Sequence, residues 1–277
     1  MPHGPPLRYC DLVLDAVERV DSLRFVFAGN RRIGANILEW LVSQGHKPTL
    51  VVLPSDDTDP GVEAMRALCC REPKIRMIRG GSDLQEELLA HVTGNDTDYL
   101  FSIHFPAVLP SAVFPYLGVG AVNLHPSLLP YNRGWHTPSW SILEGTPAGA
   151  TLHFMTERLD EGEIIAQREV EVRLDDTANS LYQRVLQTEF ELFRDAFDQL
   201  LSLNPNRTPQ DDRLATFHKR ADLFEPHVNI LDSATVTQVR EVWDRMRALT
   251  TSQADEALRI RINGKMYRIR IEIQEDM

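Results

Sequence analysis

Residues 23–54 read LRFVFAGNRRIGANILEWLVSQGHKPTLVVLP, and the hydrophobic periodicity changes twice within them. A short β-rich apolar run stops at Gly29, then Ile33, Ile37, Leu38 and Leu41 recur at helical spacing, and TLVVLP resumes a continuous apolar run. Short unbroken apolar runs suit strands buried on both faces. The stretch is therefore a βαβ unit, and βαβ units build parallel sheets.

The alternation continues outward. KIRMIRG (74–80) reads as a strand, residues from about Asp83 to His91 as a helix, and DYLFSIH (98–104) as another strand. PSAVFPYLGVGAVNLHP (110–126) gives a short helix and a strand that ends on His125. TPSWSILEGT (137–146) predicts a helix, after which the pattern changes: GATLHFMTERLDEGEIIAQREVEV (149–172) carries two extended runs about a turn at Asp160 to Gly162. A long amphipathic helix is expected from about Ser180 to Leu201, with Val185, Leu186, Phe190, Phe193, Phe197 and Leu200 on one face.

SLNPNRTPQDD (202–212) has the Pro, Asn and Asp content of a surface loop, which puts a boundary near residue 205. Beyond it, TVTQVREVWDRMRALT predicts a helix and LRIRINGKMYRIRIEI a hairpin turning at Asn263 and Gly264. At the other end, Leu12, Val13, Ala16, Val17 and Val20 are spaced as on an additional helix. The expected organisation is an extension over 1–22, an α/β domain over 23–204 with a mostly parallel sheet and helices on both faces, and a small α+β region over 205–277.

Composition narrows the class. The chain has 277 residues, 43% of them apolar and 25% charged, as in an ordinary globular protein. Its apolar runs are too short to span a bilayer, and MPHGPPLRYC lacks the succession of a signal peptide, so the expected location is the cytoplasm. A net charge of −11 argues against a broad nucleic-acid surface. Cys10, Cys69 and Cys70 form neither a disulfide framework nor a zinc spacing, so structural thiols and no metal are expected.

The candidate chemistry lies in NLHPSLLPYNRG, residues 123–134. Positions i and i+2 of a strand share a face, so Asn123 and His125 project together from the strand end that Pro126 terminates. Strand ends of that kind are where open parallel sheets collect ligands. An amide donor beside an imidazole suits acyl transfer, in which a carbonyl oxygen gains charge and an amine loses a proton. A carboxylate to orient the imidazole completes such a set, and Asp160 in the turn of RLDEGEII is the candidate. On spacing alone the competing reading is a structural histidine and an ordinary acidic turn.

NLHPSLLP, followed some 35 residues later by LDEGEII, resembles the folate-dependent formyltransferases, which share an Asn-x-His-Pro-Ser-Leu-Leu-Pro motif and a later Asp-x-Gly. The resemblance covers about residues 23–200. It implies a Rossmann-like domain and 10-formyltetrahydrofolate as formyl donor, without a metal. Asn123 and protonated His125 would polarise the formyl carbonyl, and Asp160 would support the imidazolium and relay protons. The pterin ring of the folate would lie against Pro106, Ala107, Val108 and Leu109 and against Leu159 to Glu161.

The acceptor is read from what surrounds the motif. The continuation Tyr131, Asn132, Arg133, Gly134 resembles the sugar N-formyltransferases, which implies an amino sugar carried on a nucleotide. Gly29 and Gly34 flank a strand-to-helix turn at which Asn30, Arg31 and Arg32 can meet phosphate. Residues 205–277 hold twelve Lys or Arg against twelve Asp or Glu, a balance that disfavours a tRNA acceptor. Trp135, His136 and Trp140 suit either ring stacking on the nucleotide or core packing. His104, His125 and His153 lack metal-ligand spacing. The Ile/Arg alternation of the C-terminal hairpin creates an apolar face that either a second copy, giving a homodimer, or the chain's own core would cover. Formyltetrahydrofolate hydrolysis, other amine acceptors such as glycinamide ribonucleotide or an ornithine-type side chain, and a binding protein without turnover remain as alternatives.

Overall fold

The computed structural model describes residues 23–55, 58–232, 239–262 and 264–273. The helix expected over Leu12 to Val20, Cys10, and Asn263 of the hairpin turn lie outside them. The chain packs as two compact units. One holds the described residues up to Leu100 together with Phe105–Val119, and the other holds Phe101–His104 and the described residues from Gly120 onward.

The first unit is the predicted βαβ alternation. β1 (Phe25–Gly29), α1 (Arg31–Ser43), β2 (Leu50–Leu53), α2 (Pro60–Arg71), β3 (Arg76–Arg79) and α3 (Leu84–Gly94) follow in turn, and β4 (Thr97–Ile103) comes next. β1 pairs parallel with β2, and β2 parallel with β3. Every residue of β1, β2 and β4 is buried, which is why their sequences show no alternation. α1 turns Ile33, Ile37, Leu38 and Leu41 inward, the four residues whose spacing marked it. Cys69 is buried, and burial pushes its thiol up to about 11, so it behaves as a core side chain.

The second unit carries the end of β5 (Leu117–His125), then β6 (Arg133–Gly134), α4 (Thr137–Glu144), β7 (Ala148–Phe154), β8 (Ile164–Val170) and α5 (Ala178–Leu201). The central sheet has the order β3-β2-β1-β4-β5-β7-β8. β7 pairs antiparallel with both β5 and β8, as two extended runs joined by a turn should. α5 begins at a capping box formed by Thr177 and Ser180. It buries Leu181, Val185, Phe193 and Leu200, each worth roughly 1.5–3 kcal/mol relative to an exposed side chain. Of the expected face, Val185, Phe193, Phe197 and Leu200 are buried and Leu186 and Phe190 half-buried, and Glu189 is fully buried among them. A carboxylate is tolerated there because His104, at the end of β4, bonds both its oxygens, at 2.9 and 3.0 Å.

The described residues between 205 and 273 pack within the second unit. β9 (Phe217–His218) pairs with β6, and β10 (Ile230–Asp232), β11 (Leu258–Ile262) and β12 (Lys265–Ile269) form a small sheet beside α6 (Val239–Ala248). Gly264 takes the left-handed conformation expected at the hairpin turn, with φ +75°. Leu258 and Ile260 of β11 pack with Trp140, Leu223, Val228 and Leu249. The chain's own core thus covers β11, whereas Tyr267, opposite Ile260 on β12, is 49% exposed.

Candidate active site

β5 delivers the first two candidate residues by strand geometry alone. Asn123 and His125 point to one face, and the antiparallel register sets His153 of β7 opposite Asn123 and Thr151 opposite His125. Asp160 arrives from the turn between β7 and β8, with its backbone at φ +56°, a conformation that side-chain-bearing residues adopt rarely. Its side chain is nonetheless almost wholly buried.

The carboxylate organises what surrounds it. Asp160 Oδ2 accepts the Gly134 backbone N–H at 2.9 Å and lies 3.7 Å from His125 Nδ1. Asp160 Oδ1 faces the Asn123 amide nitrogen at 3.5 Å and His153 Nε2 at 3.7 Å. His125 Nε2 donates to the Asn132 carbonyl at 3.2 Å. That nitrogen therefore carries a proton, and Nδ1 is the ring atom turned to the carboxylate. The three residues singled out from the sequence converge.

His153 is a fourth member that the sequence reading passed over as a functional group. Burial pushes its ring down to about 4; the Asp160 carboxylate opposes that shift, while His125 and Arg133 add to it. The ring is thus neutral near pH 7, and its approach to Asp160 is a contact between a dipole and a charge rather than an ion pair. His153 Nδ1 lies 2.7 Å from the Phe154 carbonyl, which can only accept, so the single ring proton is on Nδ1. Nε2 is left as an acceptor, and the Asn123 amide donates to it at 3.2 Å. This bond fixes which way the Asn123 amide faces. The alternation of Thr151 and His153 along β7, matched to Asn123 and His125 on β5, was the signal available in the sequence.

The loop after the motif is occupied with holding itself. Asn132 is fully buried, and its amide donates to Ser141 and Thr146 while its Oδ1 accepts from Thr216. Arg133 is buried with its guanidinium bonded to Gln210 and Asp212 and 3.6 Å from Glu161. Gly134, at φ +95°, leaves no room for a Cβ against the His218 carbonyl. Tyr131 is half-buried. The sequence reading placed Asn132 and Arg133 at the acceptor, but their polar groups are taken up inside the chain. They hold the loop that offers the Gly134 N–H to Asp160. Trp140 stacks on His218 with ring centroids 3.9 Å apart, so it is a core residue.

The remaining candidates differ in exposure. Pro106, Ala107 and Val108 are exposed, Val108 to 85%, whereas Leu109 is buried. Leu159 is 46% exposed beside the half-buried Glu161. In the first unit, Asn30 caps α1 by accepting from the Arg31 N–H at 2.7 Å, and the Arg31 and Arg32 side chains are exposed. Among the described residues no group of three or more His, Cys, Asp or Glu could hold a metal ion, and no helix is long and apolar enough to cross a membrane.

Residues 24–197 match the family model described as formyl transferase, and they make up more than half of the chain. The chain belongs to the formyl transferase family. Methionyl-tRNA formyltransferase of Lysinibacillus sphaericus is 28% identical over 239 residues, 82% of this chain and 74% of that enzyme. The dTDP-4-amino-4,6-dideoxyglucose formyltransferase of Mycobacterium tuberculosis is 40% identical over 103 residues, which span 37% of this chain and 43% of that enzyme. Among solved structures, the N-formyltransferase from Helicobacter canadensis, crystallised with folinic acid and dTDP-3-aminofucose, superposes with a TM-score of 0.68 at 20% identity, over 87% of this chain and 85% of that one. At that identity the likeness is one of fold. Asn123, His125 and Asp160 all lie inside the family-matched segment.

Proposed function

We propose that this formyl transferase uses Asn123, His125 and Asp160 to move a formyl group from 10-formyltetrahydrofolate to the amine of a nucleotide-linked amino sugar. The observation that carries the reading is the buried Asp160 carboxylate, which faces the Asn123 amide and the His125 ring across a polar face that the strand register brings together. The folate supplies the one-carbon group, and exposed Leu159 beside Asp160 offers apolar surface suited to a flat ring.

The chain's own residues do the rest. The Asn123 amide nitrogen commits one proton to His153 and, standing 3.5 Å from Asp160 Oδ1, holds the other loosely enough to turn it to a carbonyl oxygen. His125, protonated on both nitrogens, satisfies the Asn132 carbonyl with one and presents Nδ1 to the same oxygen and to Asp160. Donors aimed at an oxygen that gains negative charge in a water-poor site lower the barrier to acyl transfer. Asp160 balances the imidazolium and can take the proton that the attacking amine sheds as its C–N bond to the formyl carbon forms, and pass it to N10 of the folate as the old C–N bond breaks and tetrahydrofolate leaves.

The amino-sugar acceptor is supported by the 40% identical stretch of the Mycobacterium tuberculosis enzyme and by the exposed Arg31 and Arg32 at the start of α1, where backbone N–H groups and cations favour a diphosphate. The balanced charge of residues 205–277 disfavours a tRNA acceptor. The test is to incubate the protein with 10-formyltetrahydrofolate and, separately, a panel of nucleotide-linked amino sugars, formyl-acceptor tRNA and buffer alone. Tetrahydrofolate release that requires an amino sugar, with one formyl group gained by that sugar, is expected. Release in buffer alone would make the protein a hydrolase, and silence across the panel would reject the reading.

A further inference from the structure

Asp160 sits in the left-handed backbone conformation, and its backbone carbonyl is held from a part of the chain outside the family-matched residues 24–197. Gln210 lies thirteen residues beyond that match. Its amide nitrogen donates to the carbonyls of Asp160, at 2.8 Å, and Gly162, at 2.7 Å. Its amide oxygen accepts from Arg133 Nη2 at 2.8 Å and Nε at 3.2 Å. Both protons and the oxygen of one side-chain amide are thus engaged, and they tie the Asp160 turn to the loop that carries Gly134. The same segment grips each loop again. Thr208 and Ile164 exchange backbone hydrogen bonds just past the Asp160 turn, at 2.8 and 3.0 Å. Arg133 donates to Thr216, and Trp135 to His218, both at 2.9 Å.

From this geometry we infer that Gln210 is a positioning residue for catalysis: it fixes the left-handed turn that aims the Asp160 carboxylate at His125 and Asn123, and residues 208–218 form a strap completing the active site. The inference rests on the proposed role of Asp160. It has a physical basis in the sensitivity of such sites, where a displacement of about 1 Å costs on the order of 100-fold in rate. The 3.7 Å between His125 Nδ1 and Asp160 Oδ2 leaves little slack before the two groups part. A residue that merely filled space would act through volume. Gln210 acts through its donor nitrogen, so Gln210→Glu, which preserves the volume and the acceptor for Arg133, removes the function under test.

The experiment compares wild type, Gln210→Ala, Gln210→Glu and Asp160→Asn by two readouts. The first is kcat and KM for the amine acceptor. The second, recorded without substrate, is the 15N spectrum of the His125 ring. Expected for both Gln210 variants is a fall in kcat of roughly 10- to 100-fold, with KM for the acceptor within about threefold of wild type. The His125 Nδ1 signal should move toward its position in Asp160→Asn, recorded below the melting transition of each variant. If Gln210→Ala does not fold, Gln210→Glu carries the test alone. An unmoved Nδ1 signal overturns the inference whatever happens to the rate, as does a change confined to KM. A moved Nδ1 signal in a protein whose wild type transfers no formyl group would uphold the positioning role and reject the reaction instead.

Discussion

The end of β5 and the turn at Asp160 meet at the same site but are built in opposite ways. Asn123 and His125 are placed by a repeating backbone: two residues along a strand, one face, with partners across the ladder set by register. Asp160 is placed by exceptions. Its own φ is +56°, Gly162 two residues on has no space for a Cβ against the Phe154 carbonyl, and the bonds that hold the turn come from residues 134 and 210. A strand end tolerates changes that leave its periodicity intact. A turn of this kind tolerates little, because each constraint on it is specific to one atom.

The largest expected effects test whether the two regions act as one site. His125→Ala and Asp160→Asn should each lower kcat by about two orders of magnitude or more, as removal of acid-base or oxyanion groups commonly does. Steady-state formyl transfer measures this, and near-normal turnover in both variants would separate the regions functionally. Gly162→Ala tests the turn alone. The added Cβ would collide with backbone, so the denaturant midpoint should fall by an equivalent of about 1–3 kcal/mol, with activity falling further than the unfolded fraction explains. Leu124→Ile, on the opposite face of the strand end, is volume-conserving and should cost less than about 1.5 kcal/mol while leaving kcat unchanged.

A further test concerns pH. The folded chain holds His153 at about 4, below the ordinary 6.5 of a free imidazole. As pH falls through 6.5 the unfolded chain takes up this proton first, so stability drops between about pH 6.5 and 4, by up to roughly 1.4 kcal/mol per pH unit from this group. Below about 4 both states are protonated and the slope from His153 ends. His153→Gln should flatten urea-midpoint profiles over that window relative to wild type; equal slopes would mean that the ring is not buried and neutral as described. The same variant should lower kcat, because the Asn123 amide loses the acceptor that orients it.

The contrast explains what could be read early. The βαβ units, the long helix and the strand ending at His125 were legible because burial imposes a period on the sequence. His153 was visible only as a position on a strand whose partner was unknown. Glu189 ran against expectation, since nothing local announces that His104, 85 residues away, will meet a carboxylate inside the core. Arg133 was read as a substrate contact because an arginine beside a motif looks available, and its commitment to Gln210 and Asp212 spans 77 and 79 residues of chain.

The amino-acid sequence by itself determined the parallel α/β body and the face that carries Asn123 and His125, because periodicity is a local property. Tertiary structure decided that Asp160 reaches them, that His153 is neutral and orients Asn123, and that residues beyond the family-matched segment hold the turn. Those outcomes depend on burial and on hydrogen bonds between positions far apart in the chain, and no local pattern encodes them.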